Sequence, residues 1–490
     1  MPEHILFLTG KLAEARLNRV LESMQPIDFS YEVRNIGLSV AALMTAAMIT
    51  RRVPAVDGAA RIIVPGLCRG DLQEPATALG VPVIRGPDDL KDLPAFFGRG
   101  GAAIDLSRSD VHIFAEIVDA PGLGVDAIVE RARRFAADGA DVIDIGCLPD
   151  TAFPHLETVV RALKTDGFQV SIDSLHTDDL LRGARAGADY LLSLTESTLW
   201  VADEVAATPV IIPEKQDDID SLHRAIGRMR SRGRPFIADS VLDPIHFGFA
   251  RSLQRYCELR TRFPDIRIMM GIGNLTELTE ADTTGINAVL FGLISELGMT
   301  SVLTTEVSPH ARSAVREADR ARRIMYAARA EGSLPKGVDG GLLTTHERKP
   351  FPYTAQEVAE LAAAIRDPSY RVEVTEQGIH VFNRDGMQTG TDAFELFRGL
   401  DLLRDDAPHA FYMGVELNKA QLAFQLGKRY VQDEPLNWGV AVPPPAGRDE
   451  VESAVHAMKG GAAYKAAGPT LRASRKRKTK TKTKTRRKPG

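Results

Sequence analysis

DVIDIG (141–146), QVSIDS (169–174), YLLSLTE (190–196) and PFIADSV (235–241) are four short runs rich in Val, Ile and Leu, each with an acidic or hydroxyl side chain near its carboxyl end. Working outward, VHIFAEIVD (111–119) precedes them and PVIIPE (209–214) lies among them. IRIMMGIG (266–273) and SVLTTEVS (301–308) follow. Segments with helical spacing separate successive runs: one through Ala136, then Leu156 to Leu163, Ile219 to Met229 and Asn287 to Leu297. Eight apolar runs alternating with helices count out a (β/α)₈ barrel. Their near-continuous apolar content suits parallel strands covered on both faces. An open doubly wound sheet is the alternative if one run is not a strand.

The flanks read differently. Residues 1–105 alternate strand-like HILFL (from His4), SYEVRNI (from Ser30), RIIVPG (from Arg61) and VPVIRG (from Val81) with amphipathic stretches. This predicts a small parallel-sheet α/β domain of the flavodoxin or Rossmann-like kind. The Thr9-Gly10-Lys11 turn could hold a phosphate at a helix start. It lacks the glycine spacing of a nucleotide loop and reads as a plain strand-to-helix turn. The barrel is expected over 110–330 and a linker or helical segment over 331–369. From Arg371, RVEVTEQGIHVFNRDG alternates apolar and polar residues around a Gln377-Gly378 turn, which predicts a hairpin. With amphipathic stretches at Asp392 to Leu403 and Val415 to Leu426, it forms an expected small α+β domain over 370–440. VPPPAGRDE (442–450) is a linker by its prolines.

The chain has 490 residues, 44% hydrophobic and 26% charged, so two or three globular domains are expected. Neither a membrane-spanning run nor a secretory leader is evident, and the three cysteines, Cys68, Cys147 and Cys257, form no disulfide framework. A cytoplasmic location is the expectation. From Arg472 to Lys488 the tail holds eleven Lys and Arg and no acid, so subtracting them from the net charge of −4 leaves about −15 for the rest. Such a tail cannot bury apolar surface and is expected to be disordered. A nucleic-acid reader would show basic surface in its folded part as well. Here the folded part is acidic, and nucleic acid is not the expected partner.

In a (β/α)₈ barrel, chemistry gathers where the strands end. At those places stand Glu116 and Asp119, Asp144, Asp173, Thr195 and Glu196, Glu214, then Asp239, Ser240 and Asp243, Asn274, and finally Thr305 and Glu306. Acidic and amide groups ringing a mouth suit a ligand with many N–H donors, or a divalent cation. Crowded carboxylates also repel, so at least one should hold its proton unusually tightly. Asp144 serves equally well as a satisfied structural group inside the barrel, and Glu116 and Glu214 as rim residues. His176 and His246 read as loop residues, and Cys147 as a small buried one. No HxH or ExxH spacing supports zinc.

In order and spacing, GADVIDIG, VSIDS, DSVLDPIHFGF and MMGIGN resemble the pterin-binding barrel shared by dihydropteroate synthases and methyltetrahydrofolate methyltransferases. The likeness runs from about Asp110 to Arg320. With its flanking domains the chain is similar to the dihydropteroate synthase-like proteins linked to tetrahydromethanopterin synthesis. The resemblance implies that Asp173, in Ile172-Asp173-Ser174, bonds the pterin. It implies that Asp243, in Asp243-Pro244-Ile245-His246-Phe247-Gly248-Phe249, grips the 2-amino and N3 edge. Gly271, Gly273 and Asn274 match a methyltransferase motif whose asparagine approaches N5. Asp144 and Glu196 are then the acid–base candidates, with Mg²⁺ the expected metal and Asp119 and Glu306 its candidate ligands. Implied partners are a pterin, an arylamine, other enzymes of pterin biosynthesis and a second subunit.

The chain also departs from the synthase pattern. Thr195-Glu196 stands where an asparagine is usual. The Ser-Arg-Lys and Arg-x-His cations of the synthases are missing, the latter replaced by Thr304-Thr305-Glu306-Val307-Ser308. An anion site without its cations should hold diphosphate poorly. Three functions follow: a synthase-like transferase joining a dihydropterin to an arylamine, a methyl-transfer enzyme, and a non-catalytic pterin-binding scaffold.

Overall fold

The computed structural model describes residues 3–56, 58–88, 90–98, 104–149, 151–400 and 406–443. The linker beyond Pro443 and the basic tail lie outside them. The chain divides into two compact units, Met1–Leu342 and Leu343–Gly490.

The first unit opens with a parallel sheet of four strands, β1 (Glu3–Thr9), β2 (Phe29–Asn35), β3 (Arg61–Val64) and β4 (Val83–Arg85), in the order β2-β1-β3-β4. Alternation along β1 feeds two cores. Leu6 and Leu8 pack with Met44, Ile49 and Ile62 on one face, while Ile5 and Phe7 pack with Leu17, Leu21 and Phe29 on the other. The turn at Thr9-Gly10-Lys11 is closed by the chain itself: the Lys11 and Leu12 amides donate to the Leu38 and Ser39 carbonyls at 2.7 and 3.1 Å. Donors that a phosphate would need are therefore already spent.

Eight parallel strands then close into a barrel: β5 (His112–Ile117), β6 (Val142–Gly146), β7 (Gln169–Asp173), β8 (Tyr190–Leu194), β9 (Thr208–Ile211), β10 (Ile237–Ala238), β11 (Arg267–Gly271) and β12 (Ser301–Thr305). Closure is direct, with Ser301 to Thr305 paired in register with His112 to Glu116. The doubly wound alternative is excluded. Outward residues such as Ile113, Ile143, Ile145, Val170 and Ile172 join the helix-facing core. Inward residues Phe114, Val142, Leu192, Val210, Ile237 and Met269 fill the amino-terminal half of the barrel, with the Phe114 and Tyr190 rings edge to face at 5.0 Å. The interior is thus packed below and polar above, which puts the strand-end side chains on an apolar floor.

The second unit holds an antiparallel sheet of β13 (Arg371–Thr375), β14 (Gly378–Asn383) and β15 (Gly386–Gly390). Helices at Ala355–Ala364, Ala393–Arg398 and Ala407–Leu426 accompany it. Its core joins Val372, Val374, Ile379 and Val381 to Met413, Leu417 and Ala420. Among the described residues no helix is long and apolar enough to cross a membrane.

Candidate functional site: a carboxylate bowl in the barrel mouth

Strand pleating decides which strand-end residues enter the barrel. Glu116 lies two residues beyond inward Phe114, and Asp144 two beyond inward Val142; the two are register partners across β5 and β6. Asp144 pairs in register with Ser171, and Gly146 with Asp173. One ligand-capable atom each from Glu116, Asp144 and Asp173 lies within 4.8 Å of the others. A side chain at 146 could not share this space, because its Cβ would come to 2.7 Å from the Glu116 Oε1. Asp239, just past β10, is the fourth acid of the bowl, at 8% exposure.

The hydrogen bonds are few and specific. Asp144 is fully buried; its Oδ1 accepts from the Ser171 hydroxyl, while its Oδ2 has no partner. Asp173 Oδ1 accepts from the Ser193 hydroxyl at 2.6 Å. Asp239 Oδ1 accepts from the Tyr256 hydroxyl at 2.5 Å and from the Val241 amide at 2.7 Å. Ser193 and Val241 both have φ of 64°, the left-handed region that non-glycine residues seldom occupy. Backbone strain is thus spent on holding two carboxylates in place.

Among the described residues, no Lys, Arg or His forms an ion pair with Glu116, Asp144, Asp173 or Asp239. Burial dominates their ionisation. It raises Asp144 well above the usual carboxylate range, with the Asp173 and Glu116 charges adding to it. Burial and then the Asp173 charge push Glu116 up to about 7. Asp173 is raised by burial against its Ser193 bond, and Asp239 is raised to about 6 by burial despite the Tyr256 bond. The bowl can accept hydrogen bonds from a donor-rich molecule or bind a cation.

Of the strand-end acids named from sequence, Glu116, Asp144, Asp173 and Asp239 come together here, with Gly271 beside Asp239, while Asp243, Glu196, Asp119, Glu306 and Asn274 have partners of their own. Asp243 is buried, but Oδ2 accepts from Arg255 at 2.7 Å and Oδ1 from Gln216 at 2.7 Å. Gly248, at φ 127°, makes room for that pair, since a Cβ there would lie 2.7 Å from Asp243 Oδ2. Asp239, two residues beyond inward Ile237, is a strand-six carboxylate that faces the bowl. Glu196 points away, bridged to Arg224 at 2.7 Å and Arg228 at 2.7 Å. The Arg224 hydrogen bond lowers its carboxyl. The two metal candidates are separately engaged, Asp119 with Arg131 at 2.6 Å and Glu306 with Arg134 at 3.2 Å. Asn274, exposed on the short helix Gly273–Thr276 after β11, donates through Nδ2 to the Leu242 carbonyl at 2.8 Å. Gly271 ends β11 facing Asp239, where an added Cβ would stand 4.0 Å from Oδ2; Gly273 lies beside Thr305, 3.2 Å from where its Cβ would be. Cys147 is half-buried, and burial pushes its thiol up to about 12.

Glu116, expected from sequence either at the mouth or on the rim, is at the mouth. The period-two count from Phe114 would have turned it inward. Ser193 was hidden by a bulge between Leu191 and Leu194, and Tyr256 by its place on a helix after β10.

Residues 3–88 match a family described as of unknown function, DUF6513. Over an alignment 525 positions long the chain is 24% identical to an uncharacterized protein of Methanocaldococcus jannaschii, covering 88% of this chain and 98% of that one. Over 79 residues it is 35% identical to the type-2 dihydropteroate synthases of Escherichia coli and Shigella flexneri, spanning 14% of this chain and 29% of theirs. Among solved structures, the dihydropteroate synthase of Xanthomonas albilineans in complex with 7,8-dihydropteroate aligns at 19% identity and TM-score 0.36, over 46% of this chain and 95% of that one. The Yersinia pestis enzyme with a pterine-sulfa conjugate aligns at 19% and 0.37, over 46% and 96%. The chain therefore combines an amino-terminal segment of the DUF6513 kind with a closed barrel, and over that 79-residue stretch its sequence resembles the dihydropteroate synthases.

Proposed function

We propose that the barrel mouth binds a reduced pterin and that the chain is a dihydropteroate synthase-like transferase of a folate- or tetrahydromethanopterin-type pathway. The observation that carries this reading is the set of inward carboxylates without cationic partners, above all Asp173 and Asp239. The 2-amino and N3 edge of a pterin is a guanidine-like pair of donors, and an ionised carboxylate accepts two parallel hydrogen bonds from such an edge. Asp239, raised to about 6, accepts from both Tyr256 and Val241 at Oδ1 and would meet that edge through Oδ2. Asp243, which accepts one bond at each oxygen from Arg255 and Gln216, keeps acceptor capacity and is the other strand-six candidate for this edge. The motif resemblance and the 35% identity over 79 residues support the same family of chemistry.

In the transferase reaction an arylamine nitrogen attacks C9 of a hydroxymethyl-dihydropterin diphosphate. The new C–N bond forms as the C9–O bond breaks, diphosphate leaves, and the amine loses its proton. Asp144 is the acid–base candidate retained within the bowl; Glu196, held by two arginines, is left out of that role.

Calorimetric titration with 6-hydroxymethyl-7,8-dihydropterin tests the reading. Wild-type protein should bind, and Asp173→Asn and Asp239→Asn should each weaken binding by about 2 kcal/mol, as expected for a lost bond to a charged group. Diphosphate release on adding the diphosphorylated pterin and an arylamine identifies the transferase, whereas tight binding without turnover identifies a scaffold. Absence of binding by the wild type, with or without Mg²⁺, would overturn the proposal.

A further inference from the structure

We propose that the rim of the barrel mouth is a docking surface for a partner protein whose contact face is apolar and flanked by Lys and Arg. Large apolar side chains stand exposed on one loop after another: Leu148 after β6, Leu175 after β7, Trp200 after β8, Phe247 after β10, Leu278 after β11 and Val307 after β12. Among the described residues between 110 and 342, the other large apolar side chains of such exposure are Ile245, on the same rim, and Val289 and Leu334. A single exposed leucine is ordinary, but apolar groups gathered around one opening and bordered by polar ones mark a surface that meets something.

Bonds between the loops hold this arrangement in place. Glu277 accepts from the Val307 and Ser308 amides at 2.9 and 2.7 Å, tying the loop that carries Leu278 to the one that carries Val307. Gln216 Nε2 donates to the Phe247 carbonyl at 3.1 Å, joining the loops after β9 and β10, and Asn274 reaches from the segment after β11 to the Leu242 carbonyl. The rim is thus braced from β9 to β12, and a surface already in shape loses less freedom on binding. Charge selects the occupant. The exposed charges on these loops and at the helix starts beside them are mainly acidic: Asp178, Glu214, Asp217, Glu280 and Asp282, against Lys215 and Arg312. A second copy presenting the same rim, or an anionic lipid surface, would be repelled, whereas a basic and apolar segment would be drawn in.

This inference does not depend on what the carboxylate bowl binds. Trp200 and Trp438 are the two tryptophans of the chain, so full-length Trp438→Phe protein reports from the rim by fluorescence. The probe is a synthetic amphipathic peptide of Leu and Lys, with a Leu and Glu peptide of the same pattern as control. The Leu/Lys peptide should shift Trp200 emission to shorter wavelength in a saturable titration that weakens as salt is raised, and the control should not. Replacing two rim side chains together, Leu175→Ser and Leu278→Ser, should weaken binding by about 10-fold or more. Should that double variant fail to fold by circular dichroism, Leu278→Ser alone takes its place, with a weakening of about 3-fold expected. No shift with the Leu/Lys peptide, an equal response to the control, or unchanged binding in a folded rim variant would overturn the proposal. A shift produced by phosphatidylcholine vesicles and not by the peptide would overturn it in favour of a lipid surface.

Discussion

The first unit presents two parallel sheets whose strands end in very different ways. At the carboxyl edge of the amino-terminal sheet the chain seals itself: the amides after β1 are taken by the Leu38 and Ser39 carbonyls. At the mouth of the barrel four acids gather with no cation paired to them, and one oxygen lacks any partner. Both edges obey the same strand–helix grammar, and both lie where parallel sheets place ligands. The difference shows that architecture offers a location, while unsatisfied chemistry marks its use.

Three experiments would break or sharpen this contrast. The largest effect is expected at Arg255, the ion-pair partner of the buried Asp243. Arg255→Ala leaves the buried Asp243 carboxylate uncompensated and should cost about 3–5 kcal/mol of stability. Denaturant unfolding would measure it, and a loss below about 1 kcal/mol would mean that Asp243 is freer than its contacts imply.

A smaller effect is expected with pH. Asp239 is raised in the folded state, from 3.8 to about 6, so between those values the native protein binds more protons than the unfolded chain. Its contribution to stability is therefore complete below about pH 4, falls as pH rises through 6, and levels off above. In chelator-stripped protein, Asp239→Asn should flatten that part of the Tm-against-pH profile. An unchanged slope would remove Asp239 from the buried set.

The smallest effect belongs to the sealed edge. Lys11 is exposed, and Lys11→Ala should change stability by less than about 0.5 kcal/mol and leave the pterin titration as it was. A clear loss of binding would show that the amino-terminal sheet contributes to the site after all.

Much of the fold can be read along the chain, because the eight runs that line the barrel are short, apolar and evenly interrupted. What escaped was set by contacts distant in sequence. β15 (GMQTG) is mostly exposed and lacks β-branched apolar residues, so nothing in its composition announces a strand. The helix expected from Val415 begins at Ala407, where Asp406 caps the His409 amide and Pro408 fits the first turn; its apolar residues run all round, blurring the period. In the bowl, the Asp243-Pro244 motif drew attention four residues past the acid that faces inward. The deciding partner, Arg255, lies twelve residues further on a helix. Asp144 and Asp173 were legible because they stand on strands whose alternation is regular. Glu196 was not, because its arginines come from the next helix of the barrel.

The irregularity in β8 carries one more consequence. Simple alternation from Leu192 would turn Ser193 outward and Leu194 into the bowl. The bulge reverses this, sending Leu194 to the helix-facing core and the Ser193 hydroxyl to Asp173. The polarity of the mouth thus hangs on counting by one. A single-residue deletion in this strand would conserve its composition almost entirely, yet exchange an alcohol for an alkyl group beside the carboxylates. In this barrel the spelling of a strand matters less than its parity.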